Sequence, residues 1–300
     1  MVNFNHLSPE ASVLAMLPSV ERLACFKMER WIGYTRANQA LSKLQTLLSD
    51  EPGKLRPQNL LIAGESNNGK TMIAEKFHRM HPQQISDDGE HEIIPVLMMQ
   101  MPAEATVNRF YTTLLMKIGT PVGFHSRNNR CEVLALQLMR TVGVRMLIID
   151  EVHNLLGATA NQQRQLLNLL RFIGNELRIP IVCLGIREAY LAIRSDDQLE
   201  NRFHPLLLPR WEQGEDFSRL MASFESVLPL REPSYLSAPH LSELILSRSE
   251  GTIGEITALL NSATASALLH NQECINSAAI ERADYHSPSV RRCMVERELR

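Results

Sequence analysis

The sequence predicts an α/β fold, a three-layer α/β/α core on a parallel sheet followed by a small all-α domain. Three observations carry this. The apolar run Asn59–Ala63 passes directly into a glycine-bounded loop and then a helix-like segment. A second run, Met146–Ile149, shows no polar alternation and ends on Asp150 and Glu151, as a central strand buried on both faces would. Beyond about residue 210 the alternation of strands and helices stops, and only helical patterns remain.

In chain order, residues 1–30 form a helical extension, with Val13, Leu14, Met16, Leu17, Val20, Leu23 and Ala24 at helical spacing and expected to pack on the core or on a neighbouring subunit. Residues 31–210 are the core. Trp31–Leu48 reads as a helix stopped by Pro52-Gly53. Then come a strand (59–63), the loop, a helix (70–80), a strand (93–100), helices at 104–118 and 129–142, and the acid-tipped strand. A long amphipathic helix through Leu166, Leu167, Leu169, Leu170, Ile173 and Leu177 leads to a third strand, Ile179–Ile186, expected beside the first. Residues 211–285 are the helical domain, with helices at 214–226, 238–249, 253–269 and 277–284, the last with Ser277 as N-cap. Residues 286–300 read as a mobile basic tail.

The loop Gly64-Glu65-Ser66-Asn67-Asn68-Gly69-Lys70-Thr71 fits G-x-x-x-x-G-K-[ST] in a strand-to-helix context. Two glycines let the backbone curve so that its N–H groups and the helix N-terminus face an anion. Lys70 is expected on the β- and γ-phosphates of a nucleotide and Thr71 on Mg²⁺. Asp150, at a strand end, would hold Mg²⁺, and Glu151 would act as general base towards water, which favours hydrolysis over transfer to a small acceptor. The alternative for the two acids is that they cap the following helix. On the third strand Cys183 and Gly185 offer no identifiable γ-phosphate sensor.

The chain has 300 residues, 44% of them hydrophobic, enough to bury a large core. Its 5 cysteines are scattered without C-x-x-C spacing and read as reduced thiols. The start shows no secretory signal pattern, and no apolar run approaches the ~18 residues of a membrane span, so a cytoplasmic protein without membrane contact is expected. A net charge of −2 argues against gripping nucleic acid by overall charge. Locally, Arg109, Lys117, Arg127, Arg130, Arg140 and Arg145 outnumber Glu104 and Glu132. Such segregation is more often a solvated surface than a binding face.

These residues resemble a family, the AAA+ ATPases of transposition of the TniB and TnsC group, and TniB most closely. The resemblance runs from Trp31 to about Ala283. It is carried by Asn59–Thr71, by the box Ile148-Ile149-Asp150-Glu151-Val152-His153-Asn154-Leu155-Leu156, by Leu167–Pro180 and by Asp197–Phe203. It implies ATP and Mg²⁺ as cofactors, assembly of a homo-oligomeric ring or filament on double-stranded DNA, and recruitment and stimulation of a DDE transposase, with a target-selection adaptor as a further partner. Slow ATP hydrolysis would act as a switch. Arg202 resembles the finger that reaches a neighbour's γ-phosphate, with Arg194 as the weaker rival, and Arg109, Lys117, Arg127 and Arg130 would touch DNA phosphates. His153 fits the box but reads as a core or capping histidine. The segment Glu250–Ile256 lacks the second sensor arginine of many relatives, which puts lid-coupled hydrolysis in doubt. Alternatives are a helicase-loader or initiator-like ATPase, and a signalling or scaffold ATPase without DNA binding.

Overall fold

The apolar runs become the middle of one parallel sheet. The computed structural model describes residues 4–25, 31–89, 92–120, 128–194 and 200–299. The strands are β1 (Asn59–Gly64), β4 (Val96–Gln100), β5 (Met146–Asp150), β6 (Ile181–Gly185) and β7 (Phe203–Leu208), in the order β4-β5-β6-β1-β7, with a separate hairpin of β2 (Gln84–Ile85) and β3 (Glu92–Ile93). As expected, the third strand lies beside the first, with Ala63 opposite Gly185. One residue set, Leu61, Ala63, Leu97, Met99, Leu147, Ile149, Ile181 and Cys183, packs with α5 (Val107–Lys117), α6 (Asn128–Thr141) and α7 (Ala160–Leu177). The alternate set, Leu60, Ile62, Val96, Met146, Ile148 and Val182, is buried on the face of α4 (Lys70–Met80), which touches β1, β4 and β6. Each such side chain contributes about 1.5–3 kcal/mol by leaving water. That two-sided burial explains why these strands read as continuous apolar runs.

The sequence reading ended the alternation at Leu206–Trp211, but Phe203–Leu208 is a strand paired with β1 over its whole length. Pro205 hid it, since proline reads as a strand breaker. Here it is tolerated because β7 is an edge strand, where an N–H on the open side has no ladder partner to lose.

The chain forms two compact units. One, Gln39–Ser66 with Lys70–Leu208, holds the sheet, α4 to α7 and α8 (Arg187–Arg194). The other comprises Met1–Asn38, Asn67–Gly69 and Pro209–Arg300. Its helices are α1 (Pro9–Ala15), α2 (Ser19–Cys25), α9 (Glu215–Val227), α10 (Pro239–Ser249), α11 (Ile253–Leu269), α12 (Ser277–Glu281) and α13 (Pro288–Glu298). Helix α3 is Thr35–Asp50. Phe217, Leu220, Phe224, Ile256, Leu259, Leu260 and Ala263 form the core of this second unit.

Three local expectations change here. The N-terminal stripe does not pack as one face on the core of its own chain, since Val13, Met16 and Val20 are exposed there while Arg22 is fully buried. A 7-residue helix that starts on a proline or beside one is too short to present a whole stripe, and a paired arginine supplies the inward anchor instead. The N-cap of α12 is Asn276, whose side chain accepts from Ala279 N, not Ser277. The stretch expected as a tail is helical over Pro288–Glu298, with Ser287 as N-cap and a proline in the first turn.

Candidate functional site

The parallel sheet aligns strand ends, and this places the sequence motifs together. Gly64 closes β1 with Leu208 of β7 opposite, and a Cβ there would meet Leu208 O at 2.7 Å, so only glycine lets the two strands run this close. The loop then turns through Asn67 at φ 59° and Gly69 at φ 82°, both left-handed. Lys70 opens α4 at 5% exposure, and its Nζ donates to Gly64 O at 2.9 Å and Glu65 O at 2.6 Å. Burial pushes its ammonium below the usual value, while Glu151, Asp150 and Glu65 pull it back up. Within this unit the lysine is therefore a buried cation held in the curve of its own loop.

Thr71 and Asp150 are 79 residues apart, and the Thr71 hydroxyl donates to Asp150 Oδ2 at 2.7 Å. The other oxygen, Oδ1, accepts Glu151 N at 2.7 Å, which fixes the carboxylate. A hydroxyl and a carboxylate converging from two elements form a hard-oxygen donor set that suits Mg²⁺. The capping alternative for the acids does not apply. Helix α7 is capped by Thr159 in a capping box with Gln162, and Glu151 caps nothing with its side chain.

Glu151 sits at φ 54°, ψ 37°, a left-handed conformation that costs a non-glycine residue on the order of 1–3 kcal/mol and turns its side chain off the sheet. Val152–Gly157 follows as a 3-10 turn, tied to the end of β4 by Asn154 Nδ2 donating to Met101 O at 2.9 Å. Within it His153 Nε2 lies 3.0 Å from Glu151 Oε2, where the ring N–H donates to the carboxylate. His153 Nδ1 is buried without a partner among the described residues. Neither sequence reading of His153, as a core or as a capping histidine, includes this contact. The available signal was the D-E-x-H spacing, which brings the ring back onto the acid in a tight turn.

A cavity of about 410 Å³ opens beside these groups, lined among others by Thr71, His78, Gln100, Lys117, Asp150 and Glu151. Gln100 enters by register, opposite Asp150 on the neighbouring strand. Lys117, expected among the DNA contacts, thus lines the same cavity as the two acids. Arg109 pairs with Glu104 at 3.1 Å on the surface, Arg130 is exposed on α6, and Arg127 lies outside the described residues. Cys183, within β6, is fully buried in the apolar core on one face of the sheet, and burial drives its thiol far up.

Arg202 lies at the other end of the sheet, its carbonyl accepting Asn59 N at 2.9 Å where β1 begins. The length of β1, about 17 Å for this many residues, separates it from the loop of its own chain. Its Nη1 donates to Asn175 Oδ1 at 2.7 Å, and with Arg56, Arg178 and Glu176 it lines a cavity of about 470 Å³. Burial first, then the charges of Arg56 and Arg171, push its guanidinium below the usual value. The rival, Arg194, is instead paired with Glu200 at 3.1 Å.

A family model described as the bacterial TniB protein matches residues 22–213. No curated protein sequence matches the chain. Among solved structures it is similar to the ORC2 protein of Aeropyrum pernix in ADPNP–ADP complexes, with TM-score 0.61 at 16% identity over 86% of this chain and 70% of that one. It is likewise similar to the ORC1 protein of Aeropyrum pernix in complex with DNA, with TM-score 0.56 at 16% identity over 86% of this chain and only 64% of that one. A Walker-type ATPase of Pyrococcus abyssi gives TM-score 0.56 at 14% identity over 91% of this chain and 78% of that one. Likeness at such identities is one of fold, and the fold is the α/β architecture of AAA+ proteins.

Proposed function

The chain belongs to the TniB family, and from that premise we propose that it is an ATP-dependent regulator of DNA transposition. It assembles on target double-stranded DNA as a ring or filament, recruits and stimulates a DDE transposase, and hydrolyses ATP slowly as a switch in the cytoplasm. The observation that carries the reading is the convergence of buried Lys70, Thr71 and the oriented carboxylate of Asp150 on one loop, with Glu151 the next residue. The nucleotide complexes of the ORC2 protein and the DNA complex of the ORC1 protein, which have this fold, support both ligands.

The residues divide the work by charge. The N–H groups of Glu65–Thr71 and the N-terminus of α4 face the phosphates, and Lys70 exchanges its carbonyl contacts for phosphate oxygens. Thr71 and Asp150 hold Mg²⁺, which when bound neutralises charge on the phosphate oxygens. Glu151 accepts the proton of the attacking water, and the N–H of His153 holds that carboxylate in one orientation. Arg202 cannot serve the loop of its own chain across the length of β1, so it meets the triphosphate of a second copy. A guanidinium crowded by other arginines is relieved by such an anion. DNA is held through phosphates by Arg109, Lys117, Arg127 and Arg130, each weakly and summed along the assembly. Of these Lys117 also borders the acids, so its loss affects turnover as well as DNA binding.

The test is sedimentation of the protein with a non-hydrolysable ATP analogue and duplex DNA across a salt series. ATP-dependent assembly, weakening as salt rises, is expected. Glu151→Gln retains nucleotide binding and assembly and loses turnover. A protein that stays monomeric on DNA in its ATP state, or a Glu151→Gln variant with normal turnover, refutes the reading.

A further inference from the structure

Within the unit that contains Asn67–Gly69, the first turn of α11 is bonded to the tip of the phosphate loop. Gly254 N donates to Asn67 O at 3.0 Å, Ile253 N to Asn68 Oδ1 at 3.3 Å, and Asn67 Nδ2 to Glu255 Oε1 at 3.2 Å. Glu255 is 8% exposed, a nearly buried carboxylate hydrogen-bonded to a loop whose task is to attract phosphate. Its sign is wrong for that task. Two groups from the last part of the chain close on it, Tyr285 OH donating to Oε2 at 2.8 Å and Arg291 Nη2 donating to Oε1 at 2.7 Å. Arg291 stands on α13, none of whose residues is buried, and this helix is further fastened by Ser289 N donating to Glu250 Oε1 at 2.9 Å.

The segment 250–256 contains no arginine, and the structure brings one there from the C-terminal helix. We propose that Arg291 is a positioning residue for nucleotide binding, which cancels the charge of Glu255 and so keeps the loop tip at Asn67 electrostatically open to a triphosphate. The inference rests on the reading of Gly64–Thr71 as a nucleotide site. It makes α13 a handle on nucleotide affinity. Anything that draws Arg291 off Glu255 weakens binding at the loop, and by linkage a bound nucleotide holds α13 in place.

The experiment is titration of the full-length protein with a fluorescent ATP analogue and Mg²⁺. Arg291→Ala is expected to bind about tenfold more weakly, the size that one uncompensated charge exerts on another over a separation on the order of 10 Å at an effective dielectric of about 20. Arg291→Lys, which keeps the charge, stays within about threefold of the wild type, and Glu255→Gln combined with Arg291→Ala recovers most of the loss. A structural role for Arg291 alone would lower the urea-unfolding midpoint of Arg291→Ala and restore it in the double variant, so an unchanged midpoint beside weakened binding is the mark of the electrostatic role. The inference is overturned if Arg291→Ala binds like the wild type, or if the double variant is as weak as Arg291→Ala. Absence of binding by the wild type overturns the nucleotide site itself and this inference with it, whereas the first two outcomes leave that site standing.

Discussion

Removing Arg22 is expected to cost more stability than most single changes in this chain. Its side chain is 1% exposed, and its guanidinium makes a two-pronged contact with Glu273, Nη1 to Oε2 at 2.7 Å and Nη2 to Oε1 at 2.6 Å, while Nη1 also donates to Pro229 O at 2.9 Å. Glu273 has a 23% exposed side chain and one further cation, Arg231, 3.7 Å away. Truncating the arginine strands a mostly buried carboxylate and should cost about 3–5 kcal/mol. Replacing both partners, Arg22→Met with Glu273→Gln, removes the stranded charge as well and should cost only about 0–2 kcal/mol. The two single effects then exceed the double effect by about 3 kcal/mol or more, the coupling that a double-mutant cycle reads. The assay is urea unfolding followed by tryptophan emission, because both tryptophans, Trp31 and Trp211, lie in the same unit as the pair. Single-variant losses under about 1 kcal/mol, or additive effects, would refute the argument that burial makes the pair interdependent.

The same pair sets an acid limit. Burial by itself would raise the Glu273 carboxyl, but hydrogen bonds from the Arg22 side chain and Arg231 N, with the charges of both arginines, bring it below the usual 4.5. A lowered native pKa means that the contribution is fully present above the unfolded value and is lost as pH falls through the native one. The stability gap between wild type and the double variant should therefore narrow in the acid range below about 4.5 and stay constant above it.

Two further outcomes concern the loop and its acid. A Cβ at Gly254 would fall 1.8 Å from Asn67 Oδ1, so Gly254→Ala must displace the Asn67 amide from Glu255 and should weaken binding of a fluorescent ATP analogue several-fold, with unchanged affinity showing that the amide's place is immaterial. His153→Ala frees the Glu151 carboxylate from its N–H partner and should lower kcat about tenfold or more while leaving nucleotide affinity alone. Equal turnover, measured as phosphate release, would remove His153 from the mechanism.

Legibility differed sharply between elements. β1, the loop and β5 were readable because buried parallel strands carry unbroken apolar runs, and phosphate loops need glycine, lysine and a hydroxyl at set places in the chain. β7 was not, since whether a proline breaks a strand depends on which side of the strand has a neighbour, a property of the sheet. Val13, Met16 and Val20 show the same limit in a helix, where apolar spacing does not say which face finds a partner. Arg22 looks in sequence like any surface arginine, and only the return of Glu273, some 250 positions later, makes it an interior group. His153 carried a spacing signal, but its meaning depends on the left-handed turn at Glu151 that points the acid back at the ring.

What the sequence by itself determined was what short-range spacing encodes: a G-x-x-x-x-G-K-T loop between strand and helix, an acid pair closing a buried strand, and the α/β class that follows from both. What only the tertiary structure decided was every relation between charges far apart in the chain. Thr71 meets Asp150, Lys117 shares their cavity, Arg202 lies a strand's length from its own loop, and Arg291 arrives at Glu255 from the last helix. The reason is physical. Backbone geometry and hydrophobic periodicity act over a few residues and are written locally, whereas electrostatic partnership depends on distance in space, which exists only once the sheet has set its strand order and the helices have packed.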